Sequence, residues 1–385
     1  MSKLATCLAF AIALVTTQCA IGQSHLKQSD TKYYQVFTDL DDNAIREVKL
    51  RVDAMAETYH DRTRGFSGQI TKRLPFYLYS KPDDYYAAGG MQGSAGVFDG
   101  ERLMAIAMPR NSDETWHVVQ HEGFHQFVHA VIGGDMPIWV NEGLADYFGE
   151  GIFTGDSFLT GAVPPQRLAR VKAWIKSGKT ISIQEMMNKS HEDWNSRLSL
   201  VNYDQAWSMV HFLAHAEGGR YQDPFARFIK EVSRNVPWQQ AWEHTFGRGV
   251  REFEQKWRDY WQNMDENESF ELQARATILT LTSFYGRAFA QKQIFESFEP
   301  FLQSAKEGQL KVGAKDWLPP ALLEKAAKAA ARLGGYSIVK GPSGYKLVQE
   351  LPDGSKLIGT FQAANGQIRR ESVQVESQAS KRRKP

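Results

Sequence analysis

Four histidines recur at every fourth position between Trp116 and Val131: His117, His121, His125 and His129. On a helix, residues four apart stand one turn above each other. Val118, Val119, Phe124, Phe127, Val128 and Val131 supply the apolar flank that a buried helix requires. Inside this stretch His121-Glu122-Gly123-Phe124-His125 has the form HExxH. Two imidazoles at that spacing can each turn one ring nitrogen toward a single zinc ion. The glutamate between them is placed to hold water rather than metal, and to act as general base. The demand on the fold is strong, because a catalytic zinc takes three protein ligands and some other element must bring the third.

His129 continues the histidine stripe, but three successive turns of a straight helix cannot converge on one ion within about 2.1 Å. The pattern HExxHxxGxxH also fails, since Val128 and Val131 occupy its glycine and last histidine. His117 and His129 are therefore expected beside the site or on the helix surface. A better third ligand lies 17 residues beyond His125, in Trp139-Val140-Asn141-Glu142-Gly143-Leu144-Ala145-Asp146-Tyr147-Phe148. Gly133-Gly134 permits a sharp return, so that a second helix can lie against the first and present Glu142. Asp146 follows one turn later on the same face, and like charges at that spacing are mildly destabilising in a bare helix. The pair makes sense if Glu142 faces the metal and Asp146 accepts the far ring N–H of His121.

HExxH followed by NExxxD resembles the gluzincin metallopeptidases, the MA-clan group that includes thermolysin-like enzymes and M1 aminopeptidases. The phrasing WVNEGLADYF is most similar to the peptidase-MA-like domains of exported bacterial proteins, many known only as domains of unknown function. The resemblance covers about residues 33–265. It implies one Zn²⁺ per chain on His121, His125 and Glu142, with Glu122 activating water and Asp146 orienting a zinc histidine. It further matches Tyr203, 61 residues after Glu142, to a tyrosine that hydrogen-bonds the developing oxyanion, with His211 as the alternative donor. By the same analogy residues 102–108 are expected as the sheet edge along which a peptide is laid. A GxMEN-like segment that holds a free amino terminus is missing, which favours an endopeptidase. The expected activity is peptide-bond hydrolysis. The alternatives are a non-catalytic binding protein of the cell envelope and a zinc amidase acting on wall peptides.

The rest of the chain frames this site. Residues 1–22 read as a signal peptide, with Lys3 before a short apolar run and Ala20 and Gly22 at the −3 and −1 positions, so periplasmic or extracellular export is expected. Both cysteines, Cys7 and Cys19, fall in that segment, which leaves no thiolate for a disulfide or a metal. The expected class is α+β. Residues 30–265 form a zincin-like metallopeptidase domain, with a mixed β-sheet and active-site helix followed by a helical subdomain. A helical extension follows over 266–334, including one helical stretch at 271–310, then a small β module at 335–376 and a basic tail at 377–385. A formal charge of +2 argues against a nucleic-acid partner. No mature segment is apolar for long enough to suggest stable membrane insertion. The expected partner is a peptide or protein substrate.

Overall fold

The computed structural model describes residues 25–108, 112–133, 136–196, 199–247, 249–265, 267–314, 316–341 and 344–376. The signal segment, both cysteines, Gly134 and the basic tail lie outside the described residues. The chain is mixed α+β and ends in a small antiparallel sheet.

The first elements are β1 (Lys27–Asp30), β2 (Tyr34–Thr38), α1 (Asp42–Thr63), β3 (Leu74–Tyr79), α2 (Pro82–Ala87), β4 (Gly96–Phe98) and β5 (Leu103–Ile106). Helices α3 (Ser112–Val131) and α4 (Ile138–Gly149) follow, then the small hairpin β6 (Ile152–Phe153) and β7 (Phe158–Leu159). Next come α5 (Pro165–Lys176), α6 (Ile183–Met187), α7 (His191–Ser196), α8 (Leu200–Gly219), α9 (Gln222–Val232), α10 (Trp238–Phe246) and α11 (Val250–Asn263). The chain closes with α12 (Asn267–Ala290), α13 (Phe298–Lys306), α14 (Pro320–Leu333) and strands β8 (Tyr336–Gly341), β9 (Gly344–Glu350), β10 (Lys356–Ala364) and β11 (Gln367–Glu376).

Two compact units result. One runs through Gly151 and resumes over Pro164–Met264; the other joins Ile152–Val163 to the chain from Asp265 onward. In the first unit a five-stranded sheet has the order β1-β2-β3-β5-β4. β2, β3 and β5 run parallel, while β1 and β4 pair antiparallel at the two margins. β5 is buried throughout because it lies between β3 and β4. The edge expected at residues 102–108 is therefore corrected: the free edge is β4. A hairpin contributes two strands, and the sequence pattern does not say which of them pairs inward.

Helix α1 starts at Asp41, whose carboxylate accepts the Ala44 N–H at 2.9 Å. Its buried stripe of Val48, Val52, Met55, Ala56 and Tyr59 follows helical spacing. Tyr59 donates its hydroxyl to the Gln120 carbonyl of α3 and lies edge-on to Phe124 and Phe148. Helix α3 is thereby anchored to α1.

In the second unit α12 packs on the β8–β11 meander, with Phe361 and Ile368 closing over Gly286. The single helical stretch expected at 271–310 is two helices with a break. Lys292 takes a left-handed φ of 61°, and Gln293 N–H closes back on the Ala288 carbonyl at 3.0 Å. Pro300, which lacks an N–H, is tolerated only in a first turn, so a new helix starts just before it. No helix of the described residues is long and apolar enough to cross a membrane.

Candidate metal centre

Helices α3 and α4 are locked together by a side chain one position before HExxH. Gln120, buried, donates its amide to the carbonyls of Phe148 at 2.9 Å, Gly149 at 2.8 Å and Gly151 at 3.2 Å. They lie at and just beyond the end of α4, where the Phe148 carbonyl also accepts the Gly151 N–H at 2.9 Å. With the two helices held antiparallel, three side chains meet. His121 Nε2 and His125 Nε2 are 3.2 Å apart, and Glu142 Oε2 lies 3.5 Å from the first and 3.7 Å from the second. They form a half-buried His/His/Glu group whose ligand atoms all lie within 4.8 Å of one another.

The other ring nitrogens are also held. His121 Nδ1 meets Asp146 Oδ1 at 3.0 Å, and His125 Nδ1 meets Asn141 Oδ1 at 3.2 Å. Both partners accept, so each Nδ1 donates and each Nε2 carries a lone pair. Two lone pairs and a carboxylate oxygen therefore converge on one point without a donor among them. Such a cluster calls for a cation. A tetrahedral ion with bonds of about 2.0–2.2 Å separates its ligand atoms by about 3.4 Å, and the observed edges bracket that spacing. The donor set fits zinc.

A proton on His121 competes with a cation for this position. Burial opposes charge on His121, yet the bonds to Asp146 and Glu142 outweigh it and hold the ring's proton affinity well above the ordinary histidine value. Burial likewise works against ionised Glu142, but His121 and His125 bring its pKa down to about 2. Asp146 is held well below the usual carboxylate range: burial opposes this, and the Arg167 guanidinium and His121 overcome it. Glu122, next to His121 on α3, faces the same cleft, and its Oε2 accepts the Phe98 N–H of β4 at 2.9 Å.

A cleft of about 440 Å³ opens beside these groups, lined by Ser94–Gly96, His117, Val118, His121, Glu122, Asp146, Glu150, Arg167, Arg170, Leu200, Tyr203 and Asp204. Tyr203 stands in the first turn of α8 with its ring edge-on to Trp194 at 5.1 Å. Burial, with the Glu142 charge behind it, pushes its pKa up to about 12, so the phenol keeps its proton at neutral pH. His211, the alternative donor, is buried against Trp207, Trp261 and His215 and does not line the cleft. His129 is exposed and packs on Phe98, and His117 lines the cleft wall.

Sequence reasoning missed Gln120, the pairing of Asn141 with His125, and a buried arginine. Arg167 of α5 meets Asp146 Oδ2, Glu150 Oε1 at 3.0 Å and Asp204 Oδ1 at 3.0 Å. No local pattern marks it, because its partners lie 17 to 37 residues away along the chain. The strongest available hint was its place on a helix otherwise rich in surface-type charge.

A search of the curated proteins finds no match. The family model described as "Protein of unknown function (DUF1570)" matches residues 116–239, a span holding His121, Glu122, His125, Glu142, Asp146, Arg167 and Tyr203.

Proposed function

We propose that the chain is an exported zinc-dependent peptide hydrolase of gluzincin type, built on a zincin-like domain and acting as an endopeptidase on peptide or protein substrates. The observation that carries this reading is the convergence of His121 Nε2, His125 Nε2 and Glu142 Oε2 at zinc-ligand spacing, with both far ring nitrogens anchored. Zinc bound there would polarise a scissile carbonyl and make water acidic enough to lose a proton near neutral pH.

The chain's own groups do the rest. The Phe98 N–H holds Glu122 by Oε2, which leaves Oε1 to take a proton from the attacking water and return it to the leaving amine. Tyr203 keeps its phenolic proton and donates it as a hydrogen bond to the oxygen that gains charge. The free edge of β4 borders the cleft at Ser94–Gly96, where an extended peptide can pair with main-chain groups. An intact Glu122 favours an enzyme over a binding protein, which has no need of a carboxylate beside the reacting water.

The test measures turnover on a quenched peptide library together with zinc content. Glu122→Gln is expected to keep its zinc and lose turnover by about 10²–10⁴-fold. Tyr203→Phe is expected to keep its zinc and lose about 10²-fold in kcat. Parent-like turnover in Glu122→Gln would overturn the general-base role.

A further inference from the structure

Arg167 is almost wholly buried, with 7% of its side chain exposed, yet it faces the cleft. Its guanidinium pairs with three carboxylates from two helices: it hydrogen-bonds Asp146 and Glu150, on and just after α4, and its Nε stands 3.0 Å from Asp204 Oδ1 on α8 as a charge contact. Its face lies over the Trp207 ring at 4.6 Å. Asp204 is fully buried and is itself fixed by Arg170 through Nε at 2.7 Å and Nη2 at 2.9 Å, and by Trp174 Nε1 at 3.1 Å. The two oxygens of Asp146 are thus divided: Oδ1 serves His121 and Oδ2 serves Arg167. A carboxylate held by one oxygen can rotate; held by both, it presents Oδ1 in one direction.

We propose that Arg167 is the positioning residue of the metal centre. It orients His121 through Asp146, and through Asp204 it ties down α8, which carries Tyr203 on the cleft wall. The proposal rests on the zinc reading above. A planar fork of five N–H donors can bridge three carboxylates at once, whereas a lysine ammonium is a single point of charge and cannot hold the same geometry. A merely structural ion pair would contribute to folding and leave the metal's surroundings unchanged.

The experiment compares the full mature chain with Arg167→Met, Arg167→Lys and Asp204→Asn. It measures zinc affinity by chelator competition, the visible spectrum of the Co²⁺-loaded protein, and the melting temperature of each. Arg167→Met is expected to bind zinc about 10–100-fold more weakly and to shift the Co²⁺ bands, which report ligand geometry. Arg167→Lys, with charge but no fork, is expected to recover only part of the affinity. A folded Arg167→Met with parent affinity and parent Co²⁺ bands would overturn the proposal. If that variant does not fold, Asp204→Asn decides, since it loosens the fork at a residue that touches no proposed ligand. Weaker zinc binding there supports the proposal, and unchanged binding overturns it. A parent chain that binds no zinc removes the underlying reading itself, an outcome distinct from variants that bind as well as a zinc-binding parent.

Discussion

Tyr147 follows Asp146 on α4, and its hydroxyl meets His215 Nε2 at 2.9 Å. Burial, with a smaller contribution from Arg62, pushes the His215 pKa down to about 4 from an ordinary 6.5. A histidine with a depressed folded-state value favours folding fully above pH 6.5, and that contribution is lost as pH falls toward 4. The shift corresponds to roughly 3 kcal/mol. His215→Gln, which keeps a hydrogen-bonding amide, is expected to flatten the loss of melting temperature between pH 7 and pH 4.5. Parallel curves for parent and variant would contradict this assignment. At this scale the sequence was informative only where function depends on local spacing. His121 and His125 are one turn apart with Glu122 between them, and Glu142 and Asp146 share a helix face, so the motif spacing and the resemblance it carries single them out. Arg167, Asp204 and Gln120 act across the fold. Their roles depend on which helices meet, and no window of neighbouring residues contains that information.

Between elements, glycines set how closely the helices approach. A Cβ added at Gly143 would stand 2.6 Å from the Ala206 carbonyl oxygen and 2.8 Å from Val210 Cγ2, so α4 and α8 touch backbone to backbone there. Gly123 in α3 is a milder case, because its added Cβ would meet chiefly the Met55 methyl at 2.9 Å, the far end of a flexible side chain. Gly123 is a helix-interior glycine, costing about 1 kcal/mol against alanine, and close packing under α1 offsets that cost. Gly143→Ala should therefore destabilise the protein by about 1–3 kcal/mol, by forcing α4 away from α8. Gly123→Ala should change stability by less than about 1 kcal/mol, since the gain in helix propensity opposes a small shift of Met55. Denaturant unfolding of both variants checks this, and equal losses would contradict it. The long helices were legible from apolar periodicity and capping residues. Strand β1 and helices α6 and α7 were not, being too short for a period to develop. The inward placement of β5 depends on pairing with β3, which is a tertiary choice.

Across the whole molecule, every residue of the proposed site belongs to one compact unit, drawn from β4, α3, α4, α5 and α8. The family match begins inside α3, runs through α4, α5 and α8, and stops short of the strand that holds Glu122. The cleft and the ligand triad bring five carboxyl groups, Glu122, Glu142, Asp146, Glu150 and Asp204, against two arginines. Concentrating that much negative charge in a partly buried space is costly unless a cation joins it, and a bound divalent ion also stabilises the fold by mass action. The most direct test is therefore zinc per chain by elemental mass spectrometry, on untagged mature protein beside Glu142→Ala. The account predicts close to one zinc in the parent, a clear loss in Glu142→Ala, and a higher melting temperature for the loaded parent. A parent that stays free of zinc after reconstitution at neutral pH, or a Glu142→Ala variant that keeps its zinc, would contradict it.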